Sequence, residues 1–367
     1  MDLEQRRQLI MQGTEEVITP EELTQLLQTT ASPKAYWGFE PSGAMHIGTG
    51  LVCGGKIKDM VDAGCQFTIF LADWHAWINN KLGGSLENIR ICAEYFKQCF
   101  TGLGIPPDKV IYRLGSELES SMDYWEKVVR IAKANSAKRI RRALPIMGRE
   151  MDTEDIETAA LFYPCMQAAD IFQLDLDIAC AGIDQRKAHI IARESAQKLQ
   201  RKKPVSIHTP LLMSLFGGSQ YYSRAGAPGE LDENPRFDFE IGSKMAKSIP
   251  GSAILVHDPP EQIRDKIRSA FCAPRETENN PVLDIVRLIL MPQMGSFEVL
   301  RPAKYGGNLK FEKYEEVKTA YASGHLHPQD LKDSVAESLS DRLEGVRREL
   351  ARHPDLLDRI TAMEITR

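Results

Sequence analysis

The sequence lacks any run of about 18 consecutive apolar residues, which argues against a membrane-spanning helix. Its first residues, MDLEQRRQLIMQG, lack the basic-then-apolar pattern of a secretion signal, so we expect a cytoplasmic protein. Cysteines are few, with seven in 367 residues and no Cys-x-x-Cys pair. They stand in apolar surroundings, which predicts buried free thiols and argues against disulfides and a metal site held by the protein.

The sequence also lacks an excess of basic residues, because its formal net charge is −5. A nucleic-acid partner would therefore have to meet a local basic surface. Two runs are candidates: Lys138, Arg139, Arg141 and Arg142 form the first, and Arg201, Lys202 and Lys203 form the second. The alternative is that each run is an ordinary solvated helix face or helix end.

The residues that are present, 43% hydrophobic and 26% charged, are typical of a globular protein with two or three domains. Apolar segments predict strands that alternate with helical patterns near residues 45–64, from 86 onward and at 184–199. These strands lie at 34–39, 67–71, 109–114, 177–181 and 205–207. Such alternation predicts an α/β fold, a Rossmann-like parallel sheet with ligands at the carboxyl ends of its strands.

Three departures from this alternation suggest how the chain is divided. Residues from about 116 to 160 show helical patterns without strands, which indicates a helical insertion. The stretch from 217 to 242 is rich in glycine and is predicted to be irregular. Helical periodicity dominates beyond residue 260. We therefore expect one domain of residues 1–258 and an all-α domain of residues 259–367.

The first strand-to-helix turn contains His46-Ile47-Gly48-Thr49. A helix start offers free backbone N–H groups to a phosphate, and glycine lets the phosphate approach closely. His46 and Thr49 can both donate hydrogen bonds to phosphate oxygens on which negative charge grows. Taken alone, a histidine at such a position can equally be structural.

A second motif, Lys244-Met245-Ala246-Lys247-Ser248, follows the glycine-rich stretch. Two lysines on a mobile loop can move onto a departing pyrophosphate and withdraw afterwards. The alternative is an ordinary surface segment, because two lysines three positions apart are common on protein surfaces.

Together the two motifs resemble the HIGH and KMSKS signatures of class I aminoacyl-tRNA synthetases, in the same order. Thr49 replaces the second histidine and Ala246 the first serine, and the donor and both lysines are kept. The resemblance implies a catalytic domain over residues 1–258, with a lysine loop at 242–250. It also implies ATP as substrate with Mg²⁺ on its phosphates. The implied catalytic residues are His46, Thr49, Lys244 and Lys247, and the implied ATP-binding residues are these four with Gly48, Met245 and Ser248.

A third feature is the polar face of the segment around residue 167. Tyr163, Gln167 and Asp170 are spaced to share one face of a helix within an otherwise apolar stretch. Buried polar groups need partners, and a polar ligand would supply them. A polar network satisfied within the protein is the alternative.

These segments resemble tyrosyl-tRNA synthetases of the archaeal and eukaryotic type over nearly the whole chain. The resemblance implies that Tyr36 and Asp170 hydrogen-bond the phenol of L-tyrosine. Tyr163, Gln167 and Gln185 are implied to hold its amino group and ring edge. The remaining positions implied to line the tyrosine pocket are Gly38, Glu40 and His75. Asp184 stands where some relatives have glutamate.

The resemblance also implies contacts with tRNA(Tyr). Tyr305, His327 and Asp330 match anticodon-binding positions, where an aromatic ring can stack on a base and a carboxylate can accept from its edge. Arg186 matches a position that contacts the first base pair of the acceptor stem. Ordinary surface and capping residues are the alternative for the anticodon positions. The family further implies a homodimer joined through the insertion.

The implied function is tyrosine–tRNA ligase. A tryptophanyl-tRNA synthetase is the nearest rival, but Tyr36 with Asp170 favours tyrosine. A synthetase-like RNA-binding or regulatory protein without catalysis is a second rival, against which the intact lysines argue. A small-molecule nucleotidyltransferase is a third, and it does not explain the carboxy-terminal helices.

Overall fold

The structure, a computed structural model, describes residues 1–148, 156–218 and 234–363, except for the side chain of Tyr305.

A six-stranded sheet forms the centre of the first half of the described chain. Its strands are β1 (Glu16–Ile18), β2 (Lys34–Phe39), β3 (Gln66–Leu71), β4 (Val110–Leu114), β5 (Ile178–Gly182) and β6 (Val205–Thr209). Their order is β1-β6-β5-β2-β3-β4, and only the β1–β6 pair is antiparallel. The chain order reverses between β2 and β5, which is where open α/β sheets bind their ligands.

The five parallel strands confirm the sequence prediction to within two residues at each end. They read as continuous apolar runs because helices cover both faces of a parallel sheet. The antiparallel edge strand β1 was not predicted. Its three half-buried residues are too few to show a period of two.

The helices of the first part pack around this sheet. They are α1 (Leu3–Met11), α2 (Pro20–Thr29), α3 (Gly54–Asp62), α4 (Asp73–Ile78), α5 (Leu86–Gly102), α6 (Gly115–Glu119), α7 (Met122–Ala134), α8 (Ala137–Arg141), α9 (Tyr163–Gln173), α10 (Arg186–Ala196) and α11 (Pro235–Gly242). A π-helical segment, Gly48–Cys53, runs into α3. The start of α2 is a capping box: Thr19 Oγ1 accepts from the Glu22 N–H at 3.2 Å, and the Glu22 carboxylate accepts from the Thr19 N–H at 3.3 Å.

The region between β4 and β5 is helical, as predicted, and contains no strand within its described residues, which exclude 149–155. The irregular structure predicted for 217–242 is wrong at its end, where α11 forms. Asn234 accepts from the Arg236 N–H at 3.0 Å and Pro235 occupies the first helical position, so this end is a capped helix start. The prediction for residues 219–233 lies outside the described residues.

The second part is helical with one addition. Its helices are α12 (Pro260–Ser269), α13 (Pro281–Ile285), α14 (Met291–Met294), α15 (Tyr314–Ser323), α16 (Pro328–Leu350) and α17 (Pro354–Ala362), with a π-helical segment, Val286–Leu290, between α13 and α14. Two short antiparallel strands, β7 (Phe297–Val299) and β8 (Leu309–Phe311), correct the all-α expectation. Three-residue strands leave no readable alternation in a sequence.

One hydrophobic core joins the two parts, because a single cluster of buried side chains runs from the sheet to α16. The seven cysteines are free, as predicted; five are buried, and Cys53 and Cys272 are half-buried. Among the described residues, no helix is both long and apolar enough to cross a membrane.

Candidate active site

A cavity of about 790 Å³ lies at the carboxyl ends of the parallel strands. The structure brings together in its wall every residue predicted to bind tyrosine or ATP. These are Tyr36, Gly38, Glu40, His46, Gly48, Thr49, His75, Tyr163, Gln167, Asp170, Gln185, Lys244, Met245, Lys247 and Ser248. They come from five separate stretches of the chain, so the shared cavity is a property of the fold rather than of any one motif.

The histidine turn follows β2 and arranges a hydrogen-bond donor. His46 Nδ1 accepts from the N–H of Gly48 at 3.1 Å and from that of Thr49 at 3.4 Å, so in the neutral ring the proton belongs on Nε2. Removal from water and the positive charges of Lys247 and Lys244 lower the pKa of His46 to about 3. The ring is therefore neutral at physiological pH. Its Nε2–H lies 3.5 Å from Thr49 Oγ1.

Gly48, two residues after His46, has little room for a side chain. A Cβ at Gly48 would lie 2.9 Å from the His46 ring. Glycine is therefore required for the close turn that lets the backbone N–H reach Nδ1.

Backbone hydrogen bonds attach the segment after the lysine loop to the histidine turn. The Ile47 N–H donates to the Ile254 carbonyl, and the Val256 N–H donates to the Met45 carbonyl, each at 2.9 Å. These bonds join residues more than 200 positions apart. They explain why two motifs so distant in sequence line the same cavity.

The two lysines of the loop each have a polar partner in the cavity wall. Lys244 Nζ lies 2.8 Å from Asp184 Oδ2, and Lys247 Nζ donates to Ser42 Oγ at 3.0 Å. Poor solvation lowers the pKa of Lys247 to about 8, with a contribution from nearby Lys81. Both ammonium groups are thus held at the cavity by contacts that an anionic ligand can replace.

The inner wall of the cavity carries a buried phenol and a buried carboxylate. Burial raises the pKa of Tyr36 well above its usual value, and the Asp170 carboxylate adds to this effect, so Tyr36 keeps its proton. Asp170 Oδ1 accepts from the Tyr124 hydroxyl at 2.8 Å. A protonated phenol and a carboxylate on one cavity wall are suited to a ligand hydroxyl that both donates and accepts.

Further polar groups of the cavity wall come from α9 and from the segments that follow β2 and β5. The Tyr163 hydroxyl donates to Glu40 Oε1 at 2.6 Å, and Gln167 Nε2 donates to Gln185 Oε1 at 3.3 Å. Gln185 Nε2 donates in turn to the Ile146 carbonyl at 2.9 Å. This row of oxygens and amides matches the needs of an ammonium group.

Comparison with known proteins agrees with this geometry. A family model described as tRNA synthetases class I (W and Y) matches residues 28–225 and 239–344. A tyrosine–tRNA ligase of Aeropyrum pernix is 44% identical over 365 residues, covering 99% of this chain and 98% of that protein. The chain belongs to the tyrosyl-tRNA synthetase family.

Solved structures place the fold in the same family. The crystal structure of a tyrosyl-tRNA synthetase from Pyrococcus horikoshii, complexed with L-tyrosine, is 42% identical, with a TM-score of 0.90. The match covers 99% of this chain and 100% of that one. A tryptophanyl-tRNA synthetase from Aeropyrum pernix K1 has a TM-score of 0.66 at 18% identity and covers 95% of this chain and 85% of its own. That second likeness concerns the fold alone.

The positions that in a tyrosyl-tRNA synthetase are expected to meet tRNA lie outside this cavity. Arg186 forms an ion pair with Glu16 of β1 at 2.8 Å. His327 is exposed and caps α16, since its Nδ1 accepts from the Gln329 N–H at 3.1 Å. Asp330 is half-buried in the first turn of that helix, and the side chain of Tyr305 lies outside the described part of the chain. Their roles in tRNA binding stay predictions.

Several side chains that contact the cavity residues of this tyrosyl-tRNA synthetase were not predicted from the sequence. Ser42 holds Lys247, and Tyr124 and Glu119 stand behind the cavity wall next to Asp170 and His75. Ser42 lies in the turn just before the quoted motif of residues 46–49. Tyr124 carried no signal, because its place on amphipathic α7 is that of an ordinary core residue.

Proposed function

We propose that this chain is a tyrosine–tRNA ligase. It activates L-tyrosine with ATP to give tyrosyl-adenylate and pyrophosphate, and then transfers the tyrosyl group to the 3′-terminal adenosine of tRNA(Tyr). One observation carries the proposal: the phenol-binding pair, Tyr36 and Asp170, shares a single cavity with the phosphate-binding set of His46, Lys244 and Lys247.

The chemistry requires positioning and charge rather than a covalent enzyme intermediate. The tyrosine carboxylate attacks the α-phosphorus of ATP in line, and pyrophosphate leaves. The Nε2–H of His46 and the Thr49 hydroxyl donate to the phosphate oxygens. ATP enters as its Mg²⁺ complex, because Mg²⁺ prefers phosphate oxygens and water to an all-protein cage. The lysines stabilise the departing pyrophosphate.

Selectivity for tyrosine follows from the inner wall. The substrate phenol accepts from Tyr36 and donates to Asp170, so phenylalanine would leave both of these buried groups without a partner. Such a penalty is large enough to reject phenylalanine without an editing domain, and tyrosyl-tRNA synthetases are themselves the usual example. Tryptophan is excluded by the same pair, because its indole has a donor and no acceptor.

Replacement of both loop lysines tests the activation step. We expect the double variant Lys244→Ala with Lys247→Ala to lose adenylate formation in single-turnover assays while equilibrium binding of tyrosine survives. Unchanged single-turnover activation would remove the loop from the mechanism. Pyrophosphate exchange with each of the twenty amino acids tests the function itself: we expect tyrosine alone to support exchange, and exchange with tryptophan or none at all would contradict the proposal.

Recognition of the tRNA anticodon is proposed for the second part of the chain, and recognition of the acceptor stem for Arg186 of the first part. Tyr305 stacks on an anticodon base, Asp330 accepts from a base edge with His327 beside it, and Arg186 meets the acceptor stem. The division into a catalytic domain of residues 1–258, with its insertion and lysine loop, and an anticodon-binding domain of residues 259–367 belongs to the same proposal. The exposed position of His327 supports it.

The proposal includes a homodimer acting in the cytoplasm. Support comes from large apolar side chains on the surface of the insertion and its surroundings. Met122 is 84% exposed, Val129 52%, and Trp77 and Phe162 43% each. Exposed apolar groups of this size, close together, are typical of a contact surface between subunits.

A further inference from the structure

A histidine and two carboxylates are buried together behind the inner wall of the cavity. His75 Nε2 lies 3.5 Å from Asp170 Oδ2, and His75 Nδ1 lies 3.5 Å from Glu119 Oε1. Each of the three side chains is at most 2% exposed. Glu119 does not line the cavity within the described chain, so it acts on a ligand only through His75.

These three residues are close enough to suggest a metal site, but the ring geometry opposes it. Their possible ligand atoms lie within 4.8 Å of one another. A metal ion occupies one ring nitrogen of a histidine and leaves the other for a hydrogen bond. Here the two carboxylates face different nitrogens, so at most one carboxylate can share a metal with the ring. The arrangement is suited instead to an imidazolium that donates in both directions.

The balance of charge also favours a protonated His75 ring. Two buried carboxylates around a neutral ring place two uncompensated negative charges away from water, which is costly. An imidazolium between them leaves a single net negative charge and supplies an N–H to each carboxylate. The Tyr124 hydroxyl already donates to the other oxygen of Asp170. With the Tyr124 donor and a neighbouring cation, the Asp170 carboxylate keeps lone pairs for a further donor.

We propose that Glu119 is a positioning residue for tyrosine recognition: it holds His75 as an imidazolium whose Nε2–H faces Asp170, and thereby keeps the Asp170 carboxylate oriented as the acceptor for the substrate phenol. The inference rests on the proposed function, because it concerns how the phenol is recognised.

The charged and titratable groups around these three side chains set the protonation of His75 and Asp170. Burial opposes protonation of His75, but Asp170, Glu119 and Glu40 together outweigh it and raise its pKa to about 9. Burial raises the pKa of Glu119, and Asp73 adds to this while His75 opposes it. Burial likewise raises the pKa of Asp170, to about 7; His75 and Tyr124 oppose this and Glu119 adds to it. The other groups of the surrounding elements are the phenols of Tyr36 and Tyr163, which stay protonated, and Arg90 beside Asp73.

Removal of the Glu119 charge should therefore shift the pH range of tyrosine recognition in one direction. Recognition fails at low pH when Asp170 binds a proton, and at high pH when His75 loses the proton that orients Asp170. Without the like charge of Glu119 the pKa of Asp170 falls, and without its opposite charge the pKa of His75 falls. Both limbs of the profile of kcat/KM for tyrosine then move to lower pH, by about one unit or more.

The experiment compares Glu119→Gln with Glu117→Gln in tyrosine-dependent pyrophosphate exchange. Glu117 is an exposed carboxylate on the same helix, so its replacement controls for the general loss of a charge. ATP is kept saturating, so that the binding of free ATP does not shape the profile. We expect Glu119→Gln to shift both limbs, Glu117→Gln to leave them in place, and Glu119→Asp to restore them toward the wild type. A Glu119→Gln profile that superimposes on the wild type would overturn the inference.

A measurement on the unaltered chain covers the case in which Glu119→Gln does not fold. Nitrogen-15 spectra of histidine-labelled protein, with the His75 signals assigned by their loss in His75→Gln, should show both ring nitrogens protonated near neutral pH. A neutral His75 ring contradicts the inference. If the wild-type protein shows no tyrosine-dependent exchange, both the proposed function and the inference are wrong. If the wild type shows exchange and the Glu119→Gln profile does not move, only the inference is wrong.

Discussion

At the scale of single residues, Lys247 shows how the cavity changes an ordinary side chain. Its ammonium group donates to Ser42 Oγ, and poor solvation lowers its pKa from 10.5 to about 8. The charged form is the one that attracts phosphate. Because the pKa is lowered, that form predominates below about pH 8 and is lost as the pH rises through this value, well before an exposed lysine would lose its proton.

We therefore expect kcat/KM for ATP to fall as the pH rises through about 8, since this parameter reports ionisations of the free enzyme. Pyrophosphate exchange at limiting ATP measures it. Lys247→Arg is the matched control, because a guanidinium keeps its charge throughout this range and should abolish the fall. A fall that persists unchanged in Lys247→Arg would assign the titration to another group.

The residues predicted for this site came either from a local pattern, a motif or a helical face, or from the family resemblance. His46 and Lys247 were found from motifs, and Gln167 from its spacing along a helix. Tyr124 and Glu119 were not found, because only the packing of α7 against α9 and of α6 against α4 brings them to Asp170 and His75. Such contacts join segments whose relative placement has no local signal.

At the scale of elements, the crossing of α5 and α16 depends on two glycines in contact. A Cβ at Gly102 would lie 2.6 Å from Val346 Cα, and a Cβ at Gly345 would lie 2.3 Å from the Gly102 carbonyl oxygen. Both obstacles are backbone atoms, so no change of side-chain rotamer can relieve them. The two helices must move apart to admit a methyl group.

We expect Gly345→Ala to lower the free energy of unfolding by about 1–3 kcal/mol, because overpacking outweighs the gain in helix propensity. The urea midpoint of unfolding measures the change. Gly54→Ala is the control: its nearest neighbour would be Ile105 Cδ1 at 3.7 Å, an ordinary contact, so the better helix propensity should raise stability by up to about 1 kcal/mol. Gly345→Ala with wild-type stability would show that the crossing tolerates separation.

The length of a strand or helix decided whether it could be predicted from the sequence. The parallel strands and α5 were predicted because their apolar residues repeat over five or more positions. The three-residue strands β1, β7 and β8 were missed, since their pairing is set by the neighbours they meet in the fold. The capping residue and proline at the start of α11 predict a helix, but the glycines around them favoured a loop and the helix was not recognised.

At the scale of the whole molecule, the α/β part and the helical part share one core. Phe100 of α5, Ile263 of α12 and Val346 of α16 belong to a single buried cluster. The division predicted at residue 258 therefore follows the order of elements rather than a break in the packing. We expect continuous packing of this kind to limit movement between the cavity and the proposed anticodon surface.

The surface of α7 leads to the last prediction. Met122, Trp125 and Val129 occupy one face of this helix and line a groove edged by charged residues, which are Asp123, Glu126, Arg130, Lys133 and Lys198. A two-fold dimer places the same patch of both copies in contact, so one substitution acts twice at the interface. We expect Val129→Glu to change the mass in light scattering from about twice 41.2 kDa to 41.2 kDa. Leu300→Glu, at a 54% exposed apolar residue of the second part, should keep the dimer mass. A wild-type mass of 41.2 kDa, or a dimeric Val129→Glu, would show that this face has another use.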